Sequence, residues 1–244
     1  MNIALIFAGG NGERMRNSIP KQFIEVKGKS ILIYTLQIFQ KNNLIDFIYL
    51  AVPEKYIEKA ECWAEQYSLD KVKNIISGGA SAQETIYRLL LEVDKDFKDN
   101  PIVVLHDGVR PIVTQETINK NIQCVRDNGN AVSVTPCYET IVVNDKEQGI
   151  MDVPYRVRTF AAQAPQSFYL NDILSAHREI QAQNGGYENM IDACTIYHEL
   201  GRKVELVEGN RGNIKITTPE DIYMFEALLE HMPEIWSRNG QDFS

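Results

Sequence analysis

The chain opens on NIALIF, residues 2 to 7, an apolar run that leads without a break into A-G-G-N-G-E-R-M, residues 8 to 15. A run with no polar face reads as a strand buried on both sides. Glycine directly behind it lets the backbone turn tightly and come close to a ligand. A strand that opens into a glycine-rich turn commonly cradles phosphate. Two familiar glycine loops are excluded by spelling. A dinucleotide fingerprint needs glycine where Met15 stands, and K-G-K-S at residues 27 to 30 lacks the earlier glycine of a P-loop because position 23 is Phe.

Behind this start, strand-like and helix-like stretches alternate. SILIYTLQIFQKN, EKYIEKAECWAEQY and TIYRLLLEV have helical texture, whereas DFIYLAVP, KVKNII and IVVL have the continuous apolar texture of buried strands. The pattern is βαβα and predicts an α/β fold, a mostly parallel twisted sheet between helices. From Cys137 to about Gln163 the residues alternate in β fashion, broken by NDKEQG and VP, and predict a projecting β-arm. Beyond it, LNDILSAHREIQAQ reads as a helix and IDACTIYHELG as another ending at Gly201. KVELVEG follows as a strand and PEDIYMFEALLEHM as a final helix started by Pro219. We expect a single domain over residues 1–232, with the arm at about 137–163, and a C-terminal tail over 233–244.

The 25 Lys and Arg against 33 Asp and Glu give a net charge of −8, which argues against a broad nucleic-acid or anionic-membrane surface. An anionic ligand must be held by a local cluster of cations. The four cysteines, Cys62, Cys124, Cys137 and Cys194, form no C-x-x-C pair, so neither zinc nor a disulfide framework is indicated and a reducing cytoplasm fits. No run approaches the roughly 18 apolar residues of a membrane span, and the first strand follows without a basic leader.

Four stretches could carry chemistry. The first is the glycine turn, followed by Arg14, Arg16 and Pro20-Lys21, which gathers cations at the strand's carboxyl end, the edge where open α/β sheets bind ligands. It could equally be a tight turn with solvated surface cations. In the second, VVLHDGVRP at 103–111, a buried strand ends in Asp107 before Gly108 and Arg110. That carboxylate could hold a divalent cation bridging phosphates, or cap a loop. His106 is assigned no role beyond the strand. The third, ISGGASAQET at 76–85, is another strand ending in paired glycines, where backbone groups could read a base edge and Thr85 could cap the turn or bond the base. The fourth, GNIKITTPED at 212–221, sets Lys215 in a short strand before a capped helix. A lysine facing inward there needs an anionic partner.

Taken in order, A-G-G-x-G-x-R-M, P-K-Q, the G-G…E-T turn, H-D-x-x-R-P, A-P-Q-S-F and N-I-K-I-T-T-P-E-D resemble the cytidylyltransferases that make CDP-activated polyols, from residue 3 to about 230. Two branches are close: the methylerythritol-phosphate enzymes of isoprenoid synthesis and the ribitol-5-phosphate enzymes of teichoic-acid and capsule synthesis. The resemblance implies a Rossmann-like nucleotidyltransferase that moves CMP from CTP to a polyol phosphate with Mg²⁺, releasing pyrophosphate. It implies Arg14, Lys21 and Lys215 as catalytic cations and Asp107 as the metal ligand. Phe7, Ala8, Gly9, Gly10, Asn11, Gly12 and Gly108 would surround the nucleotide, and Gly78, Gly79, Ala80, Ser81 and Thr85 would meet the cytosine. The arm would cross to a second subunit in a homodimer, with Thr140 and Arg156 gripping the polyol phosphate near Arg110.

Departures from the family pattern bear on the branch. Where the methylerythritol enzymes usually read T-D-[DE]-A-S, this chain has Met190-Ile191-Asp192-Ala193-Cys194. That D-A-C form, with the context around Gln163, resembles the ribitol branch more closely and makes Asp192 a candidate for polyol recognition. Ala82 stands where both branches normally carry Arg, and Ala164 replaces the usual Thr before Pro165-Gln166. The two alanines also motivate a non-catalytic nucleotide-binding reading, which the retained Arg14, Lys21 and Lys215 oppose.

Overall fold

A computed structural model describes residues 1–10, 19–145, 147, 149–183 and 186–231, so the expected tail at 233–244 lies outside the described residues. The first half is the alternation read from the sequence: β1 (Asn2–Phe7), a small hairpin of β2 (Glu25–Val26) and β3 (Lys29–Ser30), α1 (Ile31–Lys41), β4 (Phe47–Val52), α2 (Ile57–Gln66), β5 (Val72–Ser77), α3 (Ala82–Asp96) and β6 (Ile102–Asp107). The second half runs α4 (Gln115–Asn128), β7 (Asn130–Pro136), β8 (Val143–Asp145), β9 (Gly149–Asp152), β10 (Phe160–Tyr169), α5 (Leu170–Ala182), α6 (Ala193–Glu199), β11 (Leu206–Glu208) and α7 (Pro219–His231). K-G-K-S, excluded above as a P-loop, turns the β2–β3 hairpin, with Lys27 and Gly28 both at positive φ as a two-residue hairpin turn requires.

Among the described residues the main sheet has seven strands in the order β11-β7-β10-β6-β1-β4-β5. All pairings are parallel except those of β10, which runs antiparallel to both β6 and β7. The cause lies in the connection. The arm leaves the end of β7 and returns as β10 beside it, so it is an elaborated hairpin between two paired strands. Its outer part is the β8–β9 ribbon and a single 3-10 turn, Arg156–Arg158. The expected arm boundary near Gln163 is corrected here: Phe160–Gln163 already belong to β10, whose pairing with β7 is interrupted only between Ala162 and Gln166, where Pro165 has no N–H to give the ladder.

Alternate residues of the central strands feed two cores. Ala4 and Ile6 of β1, with Val104 of β6, pack under the layer of α1, α2 and α4. Ile3 and Leu5, with Val103 and Leu105, pack under α3, α5 and α6. This is why the strands read as unbroken apolar runs. Helices begin where short polar side chains can cap them: Ser30, Ser81, Thr114 and Asp192 each accept the backbone N–H three residues on. The expected strand at Lys203–Gly209 is shorter than its sequence signal, with pairing confined to Leu206–Glu208. Helix α7 closes a third cluster in which Phe225, fully buried, meets Tyr34 edge-on at 5.2 Å.

Two stability measurements check this architecture. Phe225→Ala removes the ring that joins α7 to α1 and should cost about 3–5 kcal/mol in urea denaturation. His177 of α5 is buried beside Tyr87 and Tyr187, and burial lowers its pKa from 6.5 to about 4. The folded protein therefore keeps it neutral while the unfolded chain takes a proton, so stability present above pH 6.5 is lost progressively as pH falls toward 4. The denaturation midpoint should drop over that window, and His177→Phe should flatten the slope.

Candidate active site

Chain direction sets where the site forms. From β1 the sheet grows to one side through β4 and β5, then the chain returns to add β6 on the other side of β1. The carboxyl ends of β1 and β6 thus flank a topological switch point, where helices leave in opposite directions and a crevice opens. Phe7 and Asp107 are register partners at that edge. Both follow the residue alternation that faces α3, α5 and α6.

The two glycine turns meet over the end of β4. Ala8 N–H donates to Ala51 O and Gly78 N–H to Val52 O, which brings the two backbones into direct contact. A Cβ on Gly78 would stand 2.9 Å from Gly9 Cα, closer than real side chains approach, so this crossing requires glycine. The second turn is then closed by its own side chains. Gly79 N–H donates to Thr85 Oγ1, Thr85 Oγ1 donates to Ser81 O, Ala80 N–H donates to Glu84 Oε2, and Ser81 Oγ accepts Glu84 N–H. Of the two roles open to Thr85, the structure shows turn capping: it is 2 % exposed and its hydroxyl bonds within the turn. Any influence of Thr85 on a base is transmitted by the turn.

At the end of β6, Asp107 is buried and gathers two cations. Its Oδ1 lies 2.6 Å from Lys215 Nζ, and its Oδ2 accepts from Arg110 Nε at 2.8 Å. Arg110 is held in turn by Asn213 O at 2.9 Å. Burial alone pushes the Asp107 carboxyl up, but the Lys215 and Arg110 charges with their hydrogen bonds overcome it and hold the pKa down at about 2. The carboxylate is ionised throughout the range in which the protein would work. Lys215 keeps its side chain 45 % exposed. The expectation of a strand around it is corrected: residues 213–217 form no ladder, and the segment is tied to the body by Ile216 N–H to Val109 O and by burial of Ile216. The inward lysine does have the anionic partner its position demanded.

Behind it, His106 faces the opposite core against Phe39, with Nε2 beside Arg110 O, and burial lowers its pKa to about 4. It is a neutral strand residue.

A cavity of about 240 Å³ opens at this cluster, lined by Phe7, Asp107, Arg110 and Lys215 on one side and by Ala82, Ala164, Gln166 and Asp192 on the other. The structure thus brings together five sequence candidates: Phe7, Asp107, Arg110, Asp192 and Lys215. It also shows that both departures from the family pattern, Ala82 and Ala164, face the same space. Asp192 caps α6, with Oδ1 accepting Thr195 N–H and Oδ2 accepting Gln166 Nε2. Gln166, whose Oε1 also accepts Cys194 N–H, holds the Asp192 corner in place. It was not singled out in the sequence, and the only signal was its place in A-P-Q-S-F. Met190, in contrast, packs on the core cluster and does not line the cavity.

The remaining candidates are placed as follows. Ala8, Gly9 and Gly10 form the described start of the first turn, and Lys21 sits on a 3-10 turn, Lys21–Phe23. Gly108 follows Asp107 and donates its N–H to Phe7 O. Asn11, Gly12 and Arg14 lie outside the described residues. Thr140 and Arg156 are exposed on the arm, away from the cavity of their own chain. Among the described residues there is no group of three or more carboxylate, histidine or cysteine side chains able to hold a metal, and no helix is long and apolar enough to cross a membrane.

Comparison with known proteins agrees with this geometry. Residues 2–231 match the family model described as IspD: 2-C-methyl-D-erythritol 4-phosphate cytidylyltransferase. The chain is 43 % identical over 231 residues to a ribitol-5-phosphate cytidylyltransferase of Vibrio parahaemolyticus serotype O3:K6, covering 94 % of this chain and 96 % of the relative. It is 36 % identical over 231 residues to a 2-C-methyl-D-erythritol 4-phosphate cytidylyltransferase of Clostridium botulinum, covering 95 % and 98 %. The crystal structure of 4-diphosphocytidyl-2C-methyl-D-erythritol synthase from Anaerococcus prevotii superposes with a TM-score of 0.79 at 27 % identity, covering 94 % and 96 %. The chain therefore belongs to the 2-C-methyl-D-erythritol 4-phosphate cytidylyltransferase (IspD) family and is a nucleotidyltransferase.

Proposed function

We propose that this protein transfers CMP from CTP to D-ribitol 5-phosphate, giving CDP-ribitol and pyrophosphate. The observation that carries the reading is the Asp107–Arg110–Lys215 cluster at the mouth of a cavity whose far wall carries Asp192, in a chain more similar to the ribitol-5-phosphate relative than to the methylerythritol relative. Methylerythritol 4-phosphate is the alternative acceptor, favoured by the family model itself.

In this reaction a phosphate oxygen of the acceptor attacks the α-phosphorus of CTP, the new P–O bond forms, and the bond to pyrophosphate breaks. The protein holds the two anions in line and neutralises charge, which needs no covalent intermediate. Lys215 is half exposed and tethered to Asp107 by a single contact, so an arriving phosphate competes directly for its ammonium. Arg110, pinned by Asp107 and Asn213 O, stays in place beside it. Lys21 and Arg14 would neutralise the triphosphate at the glycine turn. Asp107, ionised at a strand end, is the residue that would hold a Mg²⁺ ion in exchange for one of its two cationic contacts, and the ion would supply neutralising charge for the departing pyrophosphate.

The acceptor's phosphate would be gripped by Arg156 and Thr140 of a second copy. The arm supports this role by its surface: Ile150, Met151, Tyr155 and Val157 are exposed by 68, 71, 79 and 85 %, a concentration of apolar side chains that a partner would cover. We therefore assign the active form as a homodimer joined through the arms, located in the cytoplasm and supplying activated ribitol for cell-wall or capsule polymers.

Pyrophosphate release from CTP and Mg²⁺ with ribitol 5-phosphate and methylerythritol 4-phosphate, measured in parallel, tests the assignment. Faster turnover of ribitol 5-phosphate is expected, and preference for methylerythritol 4-phosphate would transfer the chain to the other branch. Lys215→Ala should lower kcat by on the order of 10²–10³ with a smaller rise in KM for CTP, the pattern of a group acting in the transition state. Arg156→Ala should raise KM for the polyol phosphate by about 10-fold or more while calorimetric CTP affinity stays nearly unchanged.

A further inference from the structure

Gln22 directly follows the cationic candidate Lys21, yet it is itself only 1 % exposed. Its Nε2 donates to Ala8 O at 2.6 Å and to Gly10 O at 2.9 Å. Two carbonyl acceptors can be met only by the amide nitrogen, which carries two hydrogens, so the contacts fix the side chain's orientation as well as its place. We propose that Gln22 is a positioning residue for the nucleotide, setting the geometry of the glycine turn that receives the triphosphate of CTP. The inference rests on the functional reading above.

At Ala8 and Gly9 the turn is tied to β4 and packed on the second glycine turn, but a Cβ built on Gly10 would meet no atom of a described residue within 4 Å. Among the described residues, the hydrogen bond from Gln22 is what holds the Gly10 carbonyl. In a trans peptide the C=O and the following N–H point in opposite directions. Drawing Ala8 O toward Gln22 therefore turns Gly9 N–H away from Gln22, and a glycine-turn N–H held in a fixed direction is the kind of donor that binds phosphate.

The platform that carries Gln22 is itself rigid. Phe23, 3 % exposed, stacks on Tyr56 at 3.9 Å and touches Trp63 at 5.7 Å, while Phe23 N–H donates to Pro20 O and Ile24 N–H to Lys21 O. One anchored turn thus presents Lys21 on one side and holds the glycine backbone on the other. The lysine and the backbone N–H are kept in one frame.

The test compares wild type, Gln22→Met and Gln22→Glu by calorimetric titration of CTP without acceptor, by KM for each substrate and by thermal unfolding. Gln22→Met keeps the shape and removes both donors. Its CTP dissociation constant should rise about 10- to 100-fold, while KM for the polyol phosphate changes less than about 3-fold. Gln22→Glu should bind CTP poorly at pH 8 and regain affinity toward pH 5.5, since only the protonated carboxyl can donate to a carbonyl. A merely structural role would restore folding and the KM of both substrates together as pH falls, so recovery of CTP affinity in Gln22→Glu that thermal unfolding shows to be folded at both pH values decides the question even if Gln22→Met does not fold. Unchanged CTP affinity in folded Gln22→Met, equal losses for both substrates, or no pH recovery in Gln22→Glu would overturn the proposal while leaving the functional reading intact. Wild type that binds CTP but turns over no polyol phosphate would sink that reading instead, and wild type that does not bind CTP would sink both.

Discussion

Parallel pairing of β1 with β6 is the constraint on which the site depends. It sets Phe7 opposite Asp107 at the carboxyl edge, although a hundred residues of chain separate them. Because β4 and β5 lie on the far side of β1, nothing in the sheet covers the gap above this pair. Both strands are buried on two faces, so a register slip of one residue would exchange side chains between two differently packed cores and move Asp107 to the other one. Burial thereby fixes the position of the Asp107 carboxylate to better than a residue.

A buried carboxylate is costly unless it is paired, and here the pairing and the chemistry are the same feature. Lys215 and Arg110 keep Asp107 ionised, and Asp107 keeps two cations beside a cavity into which a phosphate could enter. The three groups differ in freedom. Arg110 is anchored twice and Lys215 once, so the cluster has a fixed part and a part able to follow a reacting phosphate. The overall charge of −8 is no obstacle, because attraction at this range depends on the local cluster.

The antiparallel strand β10 links this site to the arm. Its interrupted pairing at Ala162–Gln166 brings Ala164 and Gln166 to the cavity wall, and the chain just before it carries Arg156 outward. A substitution in the arm can therefore influence the cavity of its own chain through β10. The two alanines that depart from the family pattern read in the sequence both fall on the cavity wall, Ala82 at the start of α3 and Ala164 in the bulge.

The sequence by itself determined the class of fold and the alternation of strands and helices from β1 to β6, whereas α4, β7 and the place of β10 in the sheet had no reading in it. Apolar runs such as NIALIF and IVVL can be satisfied only by two-sided burial, and glycine, proline and cap residues mark where elements stop. Asp107 was legible as a carboxylate at the end of a buried strand and Lys215 as a lysine in need of an anionic partner, but that each is the other's partner was not. What only the tertiary structure decided were contacts between residues remote in sequence: Lys215 reaching Asp107 from an extended segment outside any strand, Thr85 turned back on its own turn, Gln166 bracing Asp192, and β10 inserted antiparallel. No local signal encodes these, because each follows from which strand lies beside which, and that is chosen by the packing of the whole sheet between its two helical layers.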